Sequence, residues 1–131
     1  MSSIERLREW LLADTLPIWL EKGYDRANRS FHERLNFDFS PVTEGGKRVL
    51  VQARQIYTYS SSASSIAGAL DAAQSAFEFT EAKYRHPAGG WRHRVTHEGA
   101  PLDDSRDLYD QAFVVFACAV LLSLIHISEP T

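Results

Sequence analysis

Apolar positions recur at helical spacing over four stretches of the chain, with turn-rich pieces between them. Ile4, Leu7, Trp10 and Leu11 lead into Leu16, Ile18, Trp19 and Leu20. Ser2 and Glu5 have the spacing of a capping box, in which a hydroxyl accepts from the first turn and a glutamate reaches back. Pro17 lacks the amide a helix interior needs, which predicts a kink or a restart after Asp14 or Thr15; Gly23 is a stop signal. Between Tyr24 and Gly46 the pattern is irregular. Leu35, Phe37 and Phe39 alternate with Asn36 and Asp38 like a strand, and Ser40-Pro41 and Glu44-Gly45-Gly46 mark turns.

A second helix is predicted from near Lys47, with Val49, Ala53, Ile56 and Tyr57 as its apolar stripe and Arg54 beside that stripe. The serines from Ser60 to Ser65 read as a helix-to-helix connection. A third helix over about Ser65–Tyr84 shows Ile66, Ala69, Leu70, Ala73, Ala76 and Phe77 on one face, its alanines permitting close approach of neighbours. Pro87-Ala88-Gly89-Gly90 breaks the chain, Trp91–Val95 reads as extended, and Glu98-Gly99 turns it back. A fourth helix from about Ser105 uses Tyr109, Phe113, Phe116, Ala117 and Val120. The fold class is therefore mainly α: antiparallel helix pairs with a short β-hairpin. No Gly-rich phosphate loop follows a strand, and no period establishes a repeat array.

A length of 131 residues suits one compact domain, and 44% hydrophobic with 24% charged residues argues against disorder. The net charge of -3 gives no general attraction to nucleic acid or anionic lipid. Arg85–His86 and Arg92–His93–Arg94 gather positive charge, but Glu78, Glu81 and Glu98 interrupt it, as on a solvated mixed surface. Cys118 is the sole cysteine, so no internal disulfide forms; it reads as a buried, inert thiol. The first residues lack a basic start and apolar stretch, from which a cytoplasmic location is expected. Ala112–Ile125 is apolar except for Ser123, yet falls short of the roughly 20 residues a bilayer requires, so it reads as a core helix and no membrane partner is expected. His93 and His97 are four apart, but the surrounding glycines argue against one helix through both; no metal site and no cofactor are expected.

Residues Leu122–Thr131 resemble the translation of a transposase adaptor used in preparing sequencing libraries. The expected organisation is then a domain over 1–121 and a non-native tail over 122–131, left out of fold reasoning.

Three clusters carry candidate chemistry. Val49–Tyr57 places Arg54 and two amides in an otherwise apolar helix start. A buried arginine needs an anionic or strongly polar partner: sugar oxygens or an enediolate would suit its fixed donors, and so would a structural Asp or Glu. Asp107–Phe113 sets Tyr109 and Phe113 one helical turn apart beside Asp107 and Asp110. Rings with a carboxylate suit a sugar, and equally suit a core with an acidic helix start. Ser30-Phe31-His32-Glu33-Arg34 is polar between aromatics and reads as a surface strand.

In order along the chain, Phe31-His32-Glu33-Arg34-Leu35, Arg48–Tyr57, Gly89-Gly90-Trp91, and Gly99–Asp103 running into Asp107–Ala117 resemble the N-acylglucosamine 2-epimerase superfamily. Trp91–Val95 and Asp107–Phe113 look most like its mannose isomerase-type members. The resemblance implies the N-terminal part of an (α/α)6 barrel around a sugar pocket. It implies that Arg54 lines the pocket and stabilises negative charge on oxygen, and that Tyr109 contacts the sugar. Asp110, Tyr57 and Glu33 would give polar contacts or support. The implied reaction is proton abstraction beside an open-chain sugar carbonyl through an enediolate, giving a ketose or the C2 epimer, with histidines as acid and base. His32, His86, His93 and His97 match none of those histidines, so a piece of this length is expected to be inactive. Asn28-Arg29-Ser30 also departs from the glycines the family often has there. Two other readings are a small helical interaction module using Trp10, Trp19 and Phe113, and an α/α-barrel glycosidase, which needs a carboxylate pair that nothing here identifies.

Overall fold

The structure is a computed structural model and describes residues 1–128. The first helical arm is built in three parts: α1 (Ser3–Glu9), a π-helical stretch (Trp10–Thr15) and α2 (Leu16–Gly23). Ser2 caps α1, its hydroxyl accepting from the Glu5 amide at 3.1 Å. Pro17 sits in the first turn of α2, but Thr15 and Leu16 keep right-handed helical dihedrals, so the chain passes the proline through the π-helical stretch as a continuous helix rather than restarting. Ile4, Leu7, Trp10 and Leu11 face outward, whereas Leu16 enters the core.

The segment after Gly23 forms two hairpins rather than one. Strands β1 (Tyr24–Asp25) and β2 (Ser30–Phe31) pair antiparallel, as do β3 (Arg34–Leu35) and β4 (Pro41–Val42). The strand-like alternation through Phe37 and Phe39 is a turn instead. Phe39 has φ +67°, Phe37 is fully exposed, and the Asp38 carboxylate accepts from the Ser40 amide at 3.0 Å. Strand β5 (Lys47–Arg48) delivers the chain into α3 (Val49–Ser61), two residues later than the pattern suggests. It pairs with β6 (Arg94–Val95), which pairs with β7 (Pro101–Asp103), making a three-stranded antiparallel sheet from distant segments.

Helix α3 is the centre of the fold, packed between α4 (Ala69–Lys83) and α5 (Leu108–Ser128). The buried alanines Ala69, Ala72, Ala73 and Ala76 bring α4 close to α3, and Phe31, Tyr59 and Ile56 fill the space beneath the hairpins. Tyr59 donates to the Leu16 carbonyl at 2.8 Å, tying the N-terminal arm to α3. Burial raises the Tyr59 phenol well above its ordinary range, so it acts as a fixed donor.

Helix α5 corrects the sequence reading in three ways. Its segment Leu108–Ile125 is long and apolar enough to cross a membrane by length and composition, with mean hydropathy 2.0. Its buried side is Val114, Ala117 and Leu121, against α3, while Tyr109 and Phe116 are exposed. Cys118 is half-buried rather than sealed in. The helix continues through residues 122–128 of the adaptor-like tail; Glu129, Pro130 and Thr131 lie outside the described residues.

Candidate functional site

Two glutamines hold the helices that carry the candidate residues, by the same device. Gln52 on α3 accepts from the Phe31 amide at 2.9 Å and donates to the Phe31 carbonyl at 2.7 Å. Gln111 on α5 accepts from the Trp91 amide and donates to the Trp91 carbonyl, both at 2.8 Å. Each amide completes the backbone pairing of an aromatic residue as a neighbouring strand would. The clamps expose an internal repeat that the sequence alone did not yield. Gln52-Ala53-Arg54 on α3 corresponds to Gln111-Ala112-Phe113 on α5, and Tyr57 corresponds to Phe116. Gly90 follows from this packing: it has φ +71°, and a Cβ there would lie 2.5 Å from Gln111 Oε1.

The corresponding positions meet on one exposed strip. The Arg54 guanidinium lies over the Phe113 ring, 5.2 Å from its centroid, and donates from Nη2 to the Tyr109 hydroxyl at 3.2 Å. Tyr109 and Phe113 pack with ring centroids 4.9 Å apart, and Tyr57 stacks on Phe116 at 4.9 Å. Among the described residues Arg54 has no carboxylate partner. The structural ion pair that an arginine in this helix would otherwise suggest is therefore absent here. Arg54, Tyr57 and Tyr109 thus come together with Phe113, which the sequence left open between a sugar-facing ring and a core aromatic, and with Phe116, which the sequence had assigned to helix packing. The strip is open to solvent within this chain, not an enclosed pocket; a recess of about 340 Å³ lies against Ala112, Phe113 and Phe116.

Asp110 and Glu33 stand elsewhere. Asp110 is buried and its Oδ2 lies 2.6 Å from His93 Nδ1, which makes it a support rather than a surface contact. Glu33 accepts from the Arg48 amide at 3.2 Å and from Arg48 Nε at 2.5 Å, bracing the entry to α3 away from the aromatic strip. Of the aromatic trio considered for partner binding, Trp10 is exposed, whereas Trp19 and Phe113 pack against the core.

A second polar cluster lies under the hairpins. Lys47 is buried and donates to Asp25 at 2.8 Å and to Ser30 at 2.9 Å, and His97 Nε2 is 3.1 Å from the same Asp25 oxygen. Burial alone would raise the Asp25 carboxyl, but hydrogen bonds from Lys47 and Asn28 outweigh it and bring the pKa down to about 2. Asp25, His32 and His97 bring ligand-type atoms within 4.8 Å of one another. Two features disfavour a cation there. The Lys47 ammonium already neutralises Asp25, and its hydrogen bond occupies the same Asp25 oxygen that His97 approaches. The cluster reads as a structural anchor for β5 and hence for α3. Desolvation lowers the His32 pKa, and its Nδ1 is buried without a hydrogen-bond partner.

Comparison with known proteins gives a consistent result. The family model for N-acylglucosamine 2-epimerase (GlcNAc 2-epimerase) matches residues 30–126, ending inside the adaptor-like segment. A mannose-6-phosphate isomerase of Rhizobium meliloti is 30% identical, over 91% of this chain and 31% of its own length. A cellobiose 2-epimerase of Ruminococcus albus is 27% identical, over 87% of this chain and 30% of its own length. The solved cellobiose 2-epimerase of Bacillus thermoamylovorans superposes with a TM-score of 0.84 at 23% identity, covering 94% of this chain and 32% of that one. The last match establishes a shared fold. The chain spans about a third of the length of the curated relatives it matches.

Proposed function

Since the chain belongs to the N-acylglucosamine 2-epimerase family, we propose that it forms the N-terminal part of an (α/α)6 barrel that isomerises or epimerises a sugar at C2. In this reading α3 and α5 are inner helices, and the strip of Arg54, Tyr57, Tyr109, Phe113 and Phe116 is one wall of the sugar cavity. Helices from further along the natural protein close the cavity and supply the histidines that move the proton. In the same reading the stretch 1–121 is an incomplete part of the barrel domain, and the residues after it arise from an adaptor.

One observation carries the proposal: Arg54 keeps an uncommitted positive charge on an aromatic wall. The open-chain aldose loses a proton from the carbon beside its carbonyl, and the electron pair moves onto the carbonyl oxygen. A guanidinium facing that oxygen stabilises the enediolate more than the neutral carbonyl, which lowers the barrier. Return of a proton to C1 gives the ketose, and return to the opposite face of C2 gives the epimer. The Tyr109 hydroxyl accepts a hydrogen bond that orients the guanidinium, and the rings offer the apolar faces that a sugar's C–H surface covers.

The test is incubation of the full-length protein with mannose, fructose and cellobiose in D2O, followed by NMR. Interconversion with deuterium entering at C2 or C1 supports the proposal. No conversion of any aldose or ketose, with the protein shown to be folded, removes it.

A further inference from the structure

The backbone of His93 joins the two helices that bear the candidate site. Its carbonyl accepts from the Val49 amide at the start of α3, and its amide donates to the Ser105 carbonyl just before α5, both at 2.9 Å. The side chain is fixed as well, with Nδ1 2.6 Å from Asp110 Oδ2. An ionised carboxylate only accepts, so the bond places the imidazole proton on Nδ1 and leaves Nε2 as the presented atom. Asp110 is 3% exposed at its side chain and His93 is 24% exposed, so a buried carboxylate holds a partly exposed imidazole. Among the described residues Nε2 has no hydrogen-bond partner.

The pair is held at the starts of the same two helices that carry Arg54 and Tyr109. Asp110 is the residue after Tyr109, and Val49 precedes Arg54 by five positions, about 7.5 Å along a helix. A rigidly oriented imidazole at the joined starts of two site helices suits a directional contact to a ligand better than a scaffold role, since the Val49 and Ser105 bonds already provide the scaffold. We infer that His93 is a further substrate-binding residue, its Nε2 accepting a hydrogen bond from a hydroxyl of the sugar held at Arg54 and Tyr109. This rests on the sugar-binding reading above. It gives buried Asp110 a purpose, which is to orient His93.

The test is steady-state kinetics of the full-length protein with the aldose it converts fastest. His93→Ala should raise KM about tenfold, the scale of one lost hydrogen bond, with kcat much less affected. His93→Gln, whose amide oxygen can accept the same hydroxyl, should recover most of that loss. A purely structural histidine would lower the melting temperature without splitting KM from kcat. If His93→Ala folds poorly, 15N NMR of the wild-type imidazole replaces it, and a shift of Nε2 on adding the sugar supports the contact. Two outcomes overturn the inference while leaving the parent reading intact: a KM for His93→Ala within about twofold of wild type, below the value of one hydrogen bond, or an unmoved Nε2 in an enzyme that loses turnover through Arg54→Ala. A wild-type protein that converts no sugar overturns both.

Discussion

Arg54 and Tyr109 are joined across the α3–α5 contact by a 3.2 Å hydrogen bond from guanidinium to phenol. Neither that hydroxyl nor the Phe113 ring beneath the cation carries a negative charge. An aromatic face contributes roughly 0.5–1 kcal/mol to a cation at an exposed site, which orients the charge without cancelling it. Arg48 and Arg92 are matched by acids, Glu33 and Asp104, and Arg94 and Arg106 end on backbone carbonyls, whereas Arg54 faces a phenol and an aromatic ring on the exposed strip. Arg54 is oriented and unneutralised, a state suited to an incoming oxygen anion.

Replacing Tyr109 by Phe should leave the ring packing against Phe113 and free the guanidinium. We expect kcat/KM of the full-length enzyme to fall about tenfold, the value of one positioning hydrogen bond. Steady-state kinetics checks this, and an unchanged kcat/KM would mean that the hydroxyl does not align Arg54.

The two glutamine clamps should matter for stability out of proportion to their size. Gln52→Leu leaves the buried Phe31 amide and carbonyl without partners, at a cost of about 3 kcal/mol. Gln111→Leu should cost less, because Trp91 is only partly buried. Urea denaturation of the full-length protein compares the two; equal effects would contradict the difference in burial.

Asp25 predicts an acid-labile fold. Its carboxyl is depressed from 3.8 to about 2, so its contribution is complete above the ordinary carboxylate value and is lost as the pH falls through the folded one. That contribution is about 2 kcal/mol. Stability measured by urea titration should drop between pH 4 and pH 2, within the window set by those two values. Asp25→Asn should flatten that limb and, by stranding the buried Lys47 ammonium, destabilise the protein at neutral pH by about 3–5 kcal/mol. An acid limb unchanged in Asp25→Asn would assign the effect to other carboxylates.

The exposed apolar residues Ile4, Leu7 and Trp10 on the N-terminal arm, with Val115, Phe116 and Leu122 on α5, predict different behaviour for short and full-length chains. Residues 1–121 alone should bind the dye ANS strongly and self-associate, whereas the full-length protein should do neither. A monodisperse, cooperatively melting short chain would favour an independent helical module. Re-reading the source DNA tests the tail directly, since native sequence through codon 131 would refute its adaptor origin.

The helical elements were legible in sequence because their punctuation is local. Ser2, Gly23 and the Pro87–Gly90 break each act within a turn of their own position. The faces of α5 were less legible: Tyr109, Phe113 and Phe116 are as apolar as a core stripe, and only packing against α3 shows that Val114, Ala117 and Leu121 are the buried side. The three-stranded sheet was hidden because β5 and β6 lie far apart in the chain. The internal repeat was missed because it resides in two glutamines and their backbone partners, with little shared sequence around them. Arg54 itself was conspicuous as a lone cation in an apolar helix start, but only geometry could show whether it met an acid or an aromatic wall.

The most direct measurement is the turnover number of Arg54→Ala in the full-length enzyme, with circular dichroism confirming the fold. With Arg54 in the proposed role on the enediolate oxygen, its loss should lower kcat by about 10²–10³ with the melting temperature preserved. A folded Arg54→Ala enzyme turning over near the wild-type rate would contradict the account.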